Sequence, residues 1–244
     1  RSYLEGETPN PCIACNTTVK FEALLEFSRG VGASFLATGH YARVVFDRWW
    51  KRYLLLKGLD ASKDQSYFLY TLTQARLAHV RFPLGGMTKD SVRALAAAAG
   101  LRVHDKEESQ DICFVGGNGY RAFLREHAGG RIRPGPMVDE HGAVVGEHEG
   151  VPFYTVGQRR RIGASVPGRF YVSDVDAASN TVRVTRRRGD LTSRSILLGD
   201  VRWVRGDDPE RPWKVMARTR YRGPEWPATL SPLSGGGAIL EFDE

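Results

Sequence analysis

Two cysteines near the beginning of the chain, Cys12 and Cys15, have the spacing and setting of a reactive thiol pair. Pro9 and Pro11 stiffen the backbone just ahead of them. Cys15 lies close to the start of a predicted helix, where unpaired backbone N–H groups and the helix dipole favour the thiolate. Because the thiolate acts as nucleophile and as metal ligand, the pair predicts nucleophilic, redox or metal chemistry.

The residues alone leave other interpretations of this pair open. A zinc site usually has four Cys or His ligands, and the sequence holds no second Cys-x-x-Cys. A thioredoxin-like pair opens a helix after a βα unit, whose first strand is missing ahead of Cys12. The two thiols could also be unrelated buried residues. The third cysteine, Cys113, lies in a strand-like run at 112–116, which favours a buried core thiol.

Gly39 and His40 follow a short predicted strand at 34–38. In open α/β sheets, ligands bind beyond the carboxyl ends of the strands, and a glycine lets a ligand approach the backbone closely. A lone histidine is more often structural than functional, but this position favours a binding role. Both residues are therefore candidate ligand contacts.

The polar loop around Lys63 precedes an apolar segment. Lys63 could meet a phosphate group, and Gln65 could hydrogen-bond a base edge or a backbone group. The alternative is a solvated helix N-terminus that is capped by Ser62 or Asp64. Two later segments mix aromatic with basic residues, a pattern that suits RNA contact as well as an ordinary solvated charge run. They are residues 154–161 and 218–222.

The elements that must position these residues change in character near residue 130. Before it, predicted helices alternate with short predicted strands, which indicates an α/β layer with a parallel sheet. The helices are expected at 19–32, 88–99 and 120–127, and the strands at 34–38, 41–46, 53–56 and from 103. Thr88 is the predicted N-cap of the second helix, and Gly100 suits the position just past its end.

After residue 130 the helix signals fade, glycine and proline become frequent, and a mostly β region is expected, a small module followed by a barrel. Its strands are expected at 170–172, 182–184, 196–204, 213–221 and 238–242.

Composition bears on the cellular compartment and on the class of partner that we expect for this protein. The 244 residues carry a formal net charge of +7, which is compatible with a nucleic-acid partner, although an arginine excess from coding bias would give the same value. No apolar run is long enough for a transmembrane helix, so no membrane contact is expected. Three cysteines argue against a secreted disulfide framework and for the cytoplasm. A monomer is the default expectation.

Taken together, seven segments in order and spacing resemble the bacterial tRNA-specific 2-thiouridylases along the whole chain. They are residues 8–16, 37–43, 63–69, 82–85, 106–116, 154–159 and 220–221. The resemblance implies an α/β ATP-pyrophosphatase (adenine nucleotide alpha hydrolase-like) domain at 1–128, a small central domain at 129–190 and an incomplete C-terminal β-barrel at 191–244. It implies ATP with Mg²⁺ as cofactor, tRNA as substrate, and a sulfur-relay protein or cysteine desulfurase as the persulfide donor.

In these enzymes ATP adenylates the C2 oxygen of the wobble uridine, and a cysteine persulfide then delivers sulfur as AMP leaves. The resemblance makes Cys15 the nucleophile and Cys113 the persulfide-bearing cysteine, with a disulfide between them during the cycle. It makes Gly39 an ATP-lining residue. The other matched positions contact tRNA in the family, and they are Asn10, Pro11, Cys12, His40, Lys63, Asp64, Gln65, Arg220 and Tyr221.

The chain departs from the family pattern in two places. The Ser-Gly-Gly loop that grips the ATP pyrophosphate is not found after a first strand, since the only such triplet, at 234–236, lies in the β half. The chain is therefore expected to be a fragment, truncated at both ends, that does not turn over ATP by itself. Cys12 stands where some members carry an aspartate, so an acid–base role does not carry over to it.

Three other functions are weighed against this one. Cys12, Cys15 and Cys113 could ligate an iron–sulfur cluster whose open iron carries the extra sulfide, in place of a persulfide. The chain could instead be a non-catalytic tRNA-binding module, for which a missing ATP loop would be natural. A ligase of the argininosuccinate synthase type would leave the paired cysteines and the basic β half unexplained.

Overall fold

The computed structural model describes residues 2–102, 104–105, 113, 115, 119–159, 162, 169–204, 206, 209–221 and 223–243. The chain divides into two compact units. The first is made by Arg1–Asn10 and Ser109–Ser193, and the second by Pro11–Glu108 and Arg194–Glu244. The three domain ranges expected from the sequence stay a prediction.

Helices and strands alternate in the first half of the chain, and strands prevail in the second. The helices are α1 (Pro11–Ala14, continuing as Cys15–Ala23 and Leu24–Gly30), α2 (Gln74–Leu77), α3 (Lys89–Ala98) and α4 (Gly119–His127). The strands are β1 (Leu36–Ala37), β2 (Ala42–Asp47), β3 (Arg52–Lys57), β4 (Val80–Arg81), β5 (Gly135–Val138), β6 (Val144–His148), β7 (Tyr171–Asp176), β8 (Thr181–Thr185), β9 (Ser195–Leu198), β10 (Trp213–Ala217), β11 (Trp226–Pro232) and β12 (Ala238–Phe242).

The middle of α1 is a π-helix over Cys15–Ala23, in which backbone bonds close over five residues, as from the N–H of Leu24 to the carbonyl of Val19. Its buried residues are therefore five apart at first, Asn16 and Phe21, and then follow α-helical spacing at Leu25 and Ser28. The helix expected over 19–32 begins eight residues too late, and two apolar residues in that range, Leu24 and Val31, are not on its buried face but 43% and 66% exposed.

The core of the second unit lies between α1, the β2–β3 hairpin and the segment at 69–82. Its buried members are Phe21, Ala42, Leu69, Leu72, Leu77, Val80 and Phe82. Strands β1 and β4 pair in parallel, as expected for an α/β layer, and β2 pairs with β3 in antiparallel register. Gly85 is needed where a turn crosses β2, since a Cβ there would lie 1.7 Å from the carbonyl oxygen of Ala42.

Helix α3 has the ends that the sequence predicts. The Thr88 side chain accepts a hydrogen bond from the N–H of Ser91, which caps the first turn. Gly100 has a φ of 66°, the left-handed conformation that ends helices at this position.

The C-terminal strands of the second unit form one antiparallel sheet in the order β10-β11-β12-β9. Among the strands that the structure describes this sheet is open, and no closed barrel is seen. Strand β10 ends at Ala217 and β9 at Leu198, so the strands expected at 213–221 and 196–204 are too long. Strand β11 was not expected from the sequence, because it contains Pro227 and Pro232.

The first unit is a four-stranded sheet in the order β6-β5-β8-β7, with α4 in the same unit. The β7–β8 hairpin and α4 match the expected elements, whereas β5 and β6 were not expected. The buried core of the unit comprises Met137, Val151, Phe153, Tyr154, Phe170, Val172, Val182 and Val184. The strand expected from residue 103 falls mostly outside the described residues, and residues 104–105, which are described, lie in a turn.

Candidate functional site

Helix α1 positions the cysteine pair. It begins at Pro11, where a proline suits the first helical position because its missing N–H would be unpaired there anyway. Cys12 lies in the first turn, and Cys15 is the first residue of the π-helical segment. Cys12, not Cys15 as expected, is therefore the cysteine at the start of the helix. Neither Cys12 nor Cys15 is in a disulfide, and both side chains are partly exposed, which leaves them accessible to a substrate.

Asn16, directly after Cys15, fixes this helix to the chain segment at 66–76. Its side chain is almost fully buried, and Nδ2 donates to the carbonyl of Phe68 at 3.2 Å. One residue on, the hydroxyl oxygens of Thr17 and Thr71 lie 2.7 Å apart. The helix that carries the cysteines is therefore held in place by contacts of Asn16 and Thr17 with residues that are distant in the chain.

His40 is buried beside α1. Its ring centroid lies 5.6 Å from that of Phe21 and 5.7 Å from that of Phe82, and Nδ1 is 2.7 Å from the hydroxyl of Thr38. Burial, and then the charge of Lys20, lowers the pKa of His40 to about 4. The ring is neutral at neutral pH. The expected tRNA contact of His40 stays a prediction, and a neutral ring limits it to a hydrogen bond.

Gly39 is exposed just beyond the carboxyl end of β1. A Cβ there would meet only Leu84, at an ordinary contact distance of 3.6 Å, so the glycine leaves the backbone open rather than relieving a clash. An open backbone beyond a parallel strand is where ligands bind in α/β sheets, and the ATP contact expected of Gly39 stays a prediction.

The loop at 63–65 is held by its own side chains. The buried carboxylate of Asp64 accepts hydrogen bonds from the N–H of Gly58 at 2.8 Å and from the N–H and hydroxyl of Ser66 at 3.2 and 2.8 Å. Gln65 Oε1 accepts from the N–H of Tyr41 at 2.9 Å. Asp64 and Gln65, two of the three residues expected to contact tRNA, form hydrogen bonds that fix the conformation of the loop. The third, Lys63, is partly exposed and places a positive charge on the loop.

Arg220 and Tyr221 lie in a turn after β10, not on a strand as the sequence suggested. The Tyr221 ring packs on Phe68, with centroids 4.4 Å apart. Arg218 donates to the carbonyl of Tyr221 at 3.2 Å and to Glu225 at 2.8 Å, which fixes the turn. Arg220 itself is exposed, so its charge is available to a partner.

Direct contacts in the second unit thus link the helix of Cys15 to the turn that carries Tyr221. Asn16 joins the cysteine helix to Phe68, and Phe68 joins it to Tyr221. The sequence pattern indicated no role for Asn16 or Phe68. The signal available for Asn16 was its position next to Cys15, and nothing local pointed to Phe68.

Two expected site residues, Asn10 and Cys113, belong to the first unit. Cys113 is an exposed free thiol in a turn, so the interpretation as a buried core thiol is wrong. Most of the segment at 106–116 lies outside the described residues. Tyr154 was expected as a stacking residue, but it is 4% exposed and belongs to the core.

Comparisons with known proteins identify the family of the chain. The family model described as the tRNA methyl transferase HUP domain matches residues 1–117, and that of the tRNA methyl transferase PRC-barrel domain matches 121–186. The tRNA-specific 2-thiouridylase MnmA of Moorella thermoacetica is 49% identical over 243 residues, which is 100% of this chain and 68% of the relative. The chain belongs to the tRNA-specific 2-thiouridylase family.

Further members of the tRNA-specific 2-thiouridylase family match equally broadly. The protein of Geotalea uraniireducens is 48% identical over 99% of this chain and 64% of its own length. The protein of Pelotomaculum thermopropionicum is 45% identical over 98% of this chain and 65% of its own length. The chain thus spans about two thirds of the length of these relatives, and the resemblance seen in the sequence is confirmed.

The HUP match also confirms the nucleotide alpha hydrolase-like α/β domain. Within the described part of the chain, no helix has the length and apolar character needed to cross a membrane.

Proposed function

We propose that this chain acts in the ATP-dependent replacement of the C2 oxygen of the tRNA wobble uridine by sulfur. The observation that carries the proposal is the partly exposed Cys15 on a helix that Asn16 ties to Phe68, three residues after the loop at 63–65. A nucleophile must be accessible and held in a fixed orientation to react efficiently. The relatives' shared name, tRNA-specific 2-thiouridylase, supports the formation of 2-thiouridine in tRNA.

When bound, ATP with Mg²⁺ supplies the adenylyl group that turns the C2 oxygen into a leaving group. The terminal sulfur of a persulfide on Cys113 attacks C2, and AMP leaves with the oxygen. The Cys15 thiolate then attacks the Cys113 sulfur of the resulting disulfide, which releases 2-thiouridine and joins the two cysteines. A thiol reductant regenerates both thiols, and a sulfur-relay protein or cysteine desulfurase recharges Cys113.

The other residues bind and orient. The open backbone at Gly39 lies against the nucleotide, and Lys63 and Arg220 hold tRNA phosphates through their charges. His40 contributes a neutral hydrogen-bonding ring because its pKa is about 4. Asn10, Pro11 and Cys12 lie against the target base. The activity belongs to the cytoplasm, where tRNA is modified, and the chain acts as a monomer.

The iron–sulfur alternative keeps the same substrate and product. Among the residues that the structure describes, no group of three or more His, Cys, Asp or Glu side chains lies together as a metal site. The alternative stays a prediction, and iron content with a visible absorption band in anaerobically purified protein tests it.

Nucleoside mass spectrometry of bulk tRNA tests the proposed function. A bacterial strain that lacks wobble-uridine thiolation receives this gene together with the coding sequence that precedes Arg1. The return of 2-thiouridine derivatives is the expected result, and the strain with an empty vector is the control. An added methyl group has a different mass, so a methyl transfer, as the family models' descriptions would suggest, is recognised in the same spectrum. Soluble expression without 2-thiouridine, even when a dedicated sulfur donor is supplied, contradicts the proposal.

A further inference from the structure

The turn between β2 and β3 presents two adjacent tryptophans to solvent. The last pair of the strand ladder is Asp47 with Arg52, so residues 48–51 form the turn. Trp49 is 89% exposed and Trp50 is 46% exposed. Trp49 leaves nearly all of its indole in solvent, and with the half-exposed Trp50 beside it forms an exposed apolar patch of the kind that marks binding sites.

The turn is held in one conformation. The Oδ1 atom of Asp47 accepts the backbone N–H of Trp49 at 2.8 Å and that of Trp50 at 2.9 Å. Lys51 has a φ of 50°, the left-handed conformation that closes the turn. A partner that binds Trp49 therefore does not have to order the backbone first, which lowers the cost of binding.

The hairpin is strongly basic. Residues 42–57 contain five basic residues and one acidic residue. The basic residues are Arg43, Arg48, Lys51, Arg52 and Lys57. The single carboxylate, Asp47, already accepts the two N–H groups of the turn. Arg48 and Lys51, on either side of the tryptophans, are both exposed, so the tip of the hairpin favours an anionic partner with flat rings.

We propose that the turn at 48–51 binds tRNA, with the Trp49 ring stacked on an unpaired base and Arg48 and Lys51 on the neighbouring phosphates. This inference rests on the proposed function, which makes tRNA the substrate, and it adds a contact outside the segments that resemble the family. Single-stranded bases stack on exposed aromatic rings while basic side chains follow the backbone. One indole with two cations matches that chemistry, whereas protein–protein interfaces bury a broader surface.

Binding of a fluorescently labelled, unmodified tRNA transcript to this chain, followed by anisotropy, tests the inference. Trp49→Ala is expected to bind about tenfold more weakly, because stacking of one base is lost. Trp49→Phe keeps a ring and retains most of the affinity. Leu197→Ala on β9 is the matched control, since Leu197 is 74% exposed but belongs to another element, and it should bind as the parent does.

The charges are tested separately. A double variant, Arg48→Ala with Lys51→Ala, should bind more weakly and lower the slope of log affinity against log salt by about two. Trp49→Ala should leave that slope unchanged, because stacking releases no counterions. All four residues of the turn are exposed, and equal urea midpoints confirm that the variants fold as the parent does.

The outcomes separate this inference from the proposed function. If the parent binds the transcript and Trp49→Ala binds equally well, the turn is not a tRNA contact, while the proposed function stands. If the parent does not bind at all, tRNA is not the partner and both fail. Vesicles containing phosphatidylserine complete the test: loss of vesicle binding in Trp49→Ala with unchanged tRNA binding would assign the turn to a lipid surface instead.

Discussion

The aromatic rings of Phe68 and Tyr221 lie 4.4 Å apart, centroid to centroid, with their planes inclined by 49°. This contact joins the segment after the loop at 63–65 to the turn that carries Arg220. The carbonyl of the same Phe68 accepts the hydrogen bond from Asn16 on the cysteine helix. Phe68 thus contacts the cysteine helix and the turn that carries Arg220, and it follows the loop at 63–65 in the same segment. Substitutions in each of these parts can separate their contributions.

Cys15→Ala and Cys113→Ala should each abolish 2-thiouridine formation in the complemented strain, because each removes a sulfur atom that the proposed transfer needs. Nucleoside mass spectrometry gives the readout. Cys12→Ala separates the two mechanisms. Under persulfide transfer it should lose thiolation only in part, because Cys12 contacts the target base and carries no transferred sulfur, whereas combined loss of thiolation and of bound iron points to the cluster. Thiolation retained in either of the first two variants contradicts the assigned roles.

Arg220→Ala should weaken tRNA binding and lower the salt slope by about one, since an exposed arginine at this turn releases one counterion on binding a phosphate. Titrations at several salt concentrations measure this slope. Arg93→Ala, an exposed arginine on α3, is the control and should leave the slope unchanged. An unaltered slope in Arg220→Ala would show that this residue makes no phosphate contact.

Asp64→Ala should lower the free energy of unfolding by about 3 kcal/mol, because three donors lose a buried charged acceptor. Lys63→Ala should change it by less than about 0.5 kcal/mol but weaken tRNA binding. Urea unfolding and tRNA titration of both variants check this division. Equal stability of the Asp64→Ala variant and the parent would refute the structural role of Asp64.

The free energy of unfolding should decrease as the pH falls below 7, because His40 is buried in its neutral form. In the unfolded chain His40 is protonated as the pH falls through about 6.5, whereas in the folded chain it is protonated only near pH 4. The unfolded state therefore binds more protons between these values, and His40 costs about 2 kcal/mol of stability as pH falls from 7 to 5.

Urea unfolding at pH 7 and pH 5 measures this effect. His40→Gln should show a smaller loss of stability than the parent over the same interval. His141→Gln, whose parent side chain is 82% exposed, should keep the parent's pH dependence. A parent and a His40→Gln variant with the same loss would rule out His40 as the titrating group.

Local signals in the sequence were sufficient for several elements. The ends of α3 follow from Thr88 and Gly100, since capping and left-handed geometry depend on a few neighbouring residues. The β2–β3 and β7–β8 hairpins follow from short β-forming runs with a turn between them. The family, and with it the candidate cysteines, followed from the order and spacing of seven segments.

Burial and long-range contact were decided by the tertiary structure. The π-helical segment of α1 sets Asn16 and Phe21 on one buried face, and Asn16 bonds to a carbonyl 52 residues away. Tyr154 is buried although it sits in a basic segment, and Cys113 is exposed although its neighbours are apolar. A sequence pattern records what a residue prefers, whereas its exposure depends on which distant residues fold against it. The sequence by itself therefore determined the family and the chemical groups, and only the fold decided which of those groups are exposed and which are buried against distant parts of the chain.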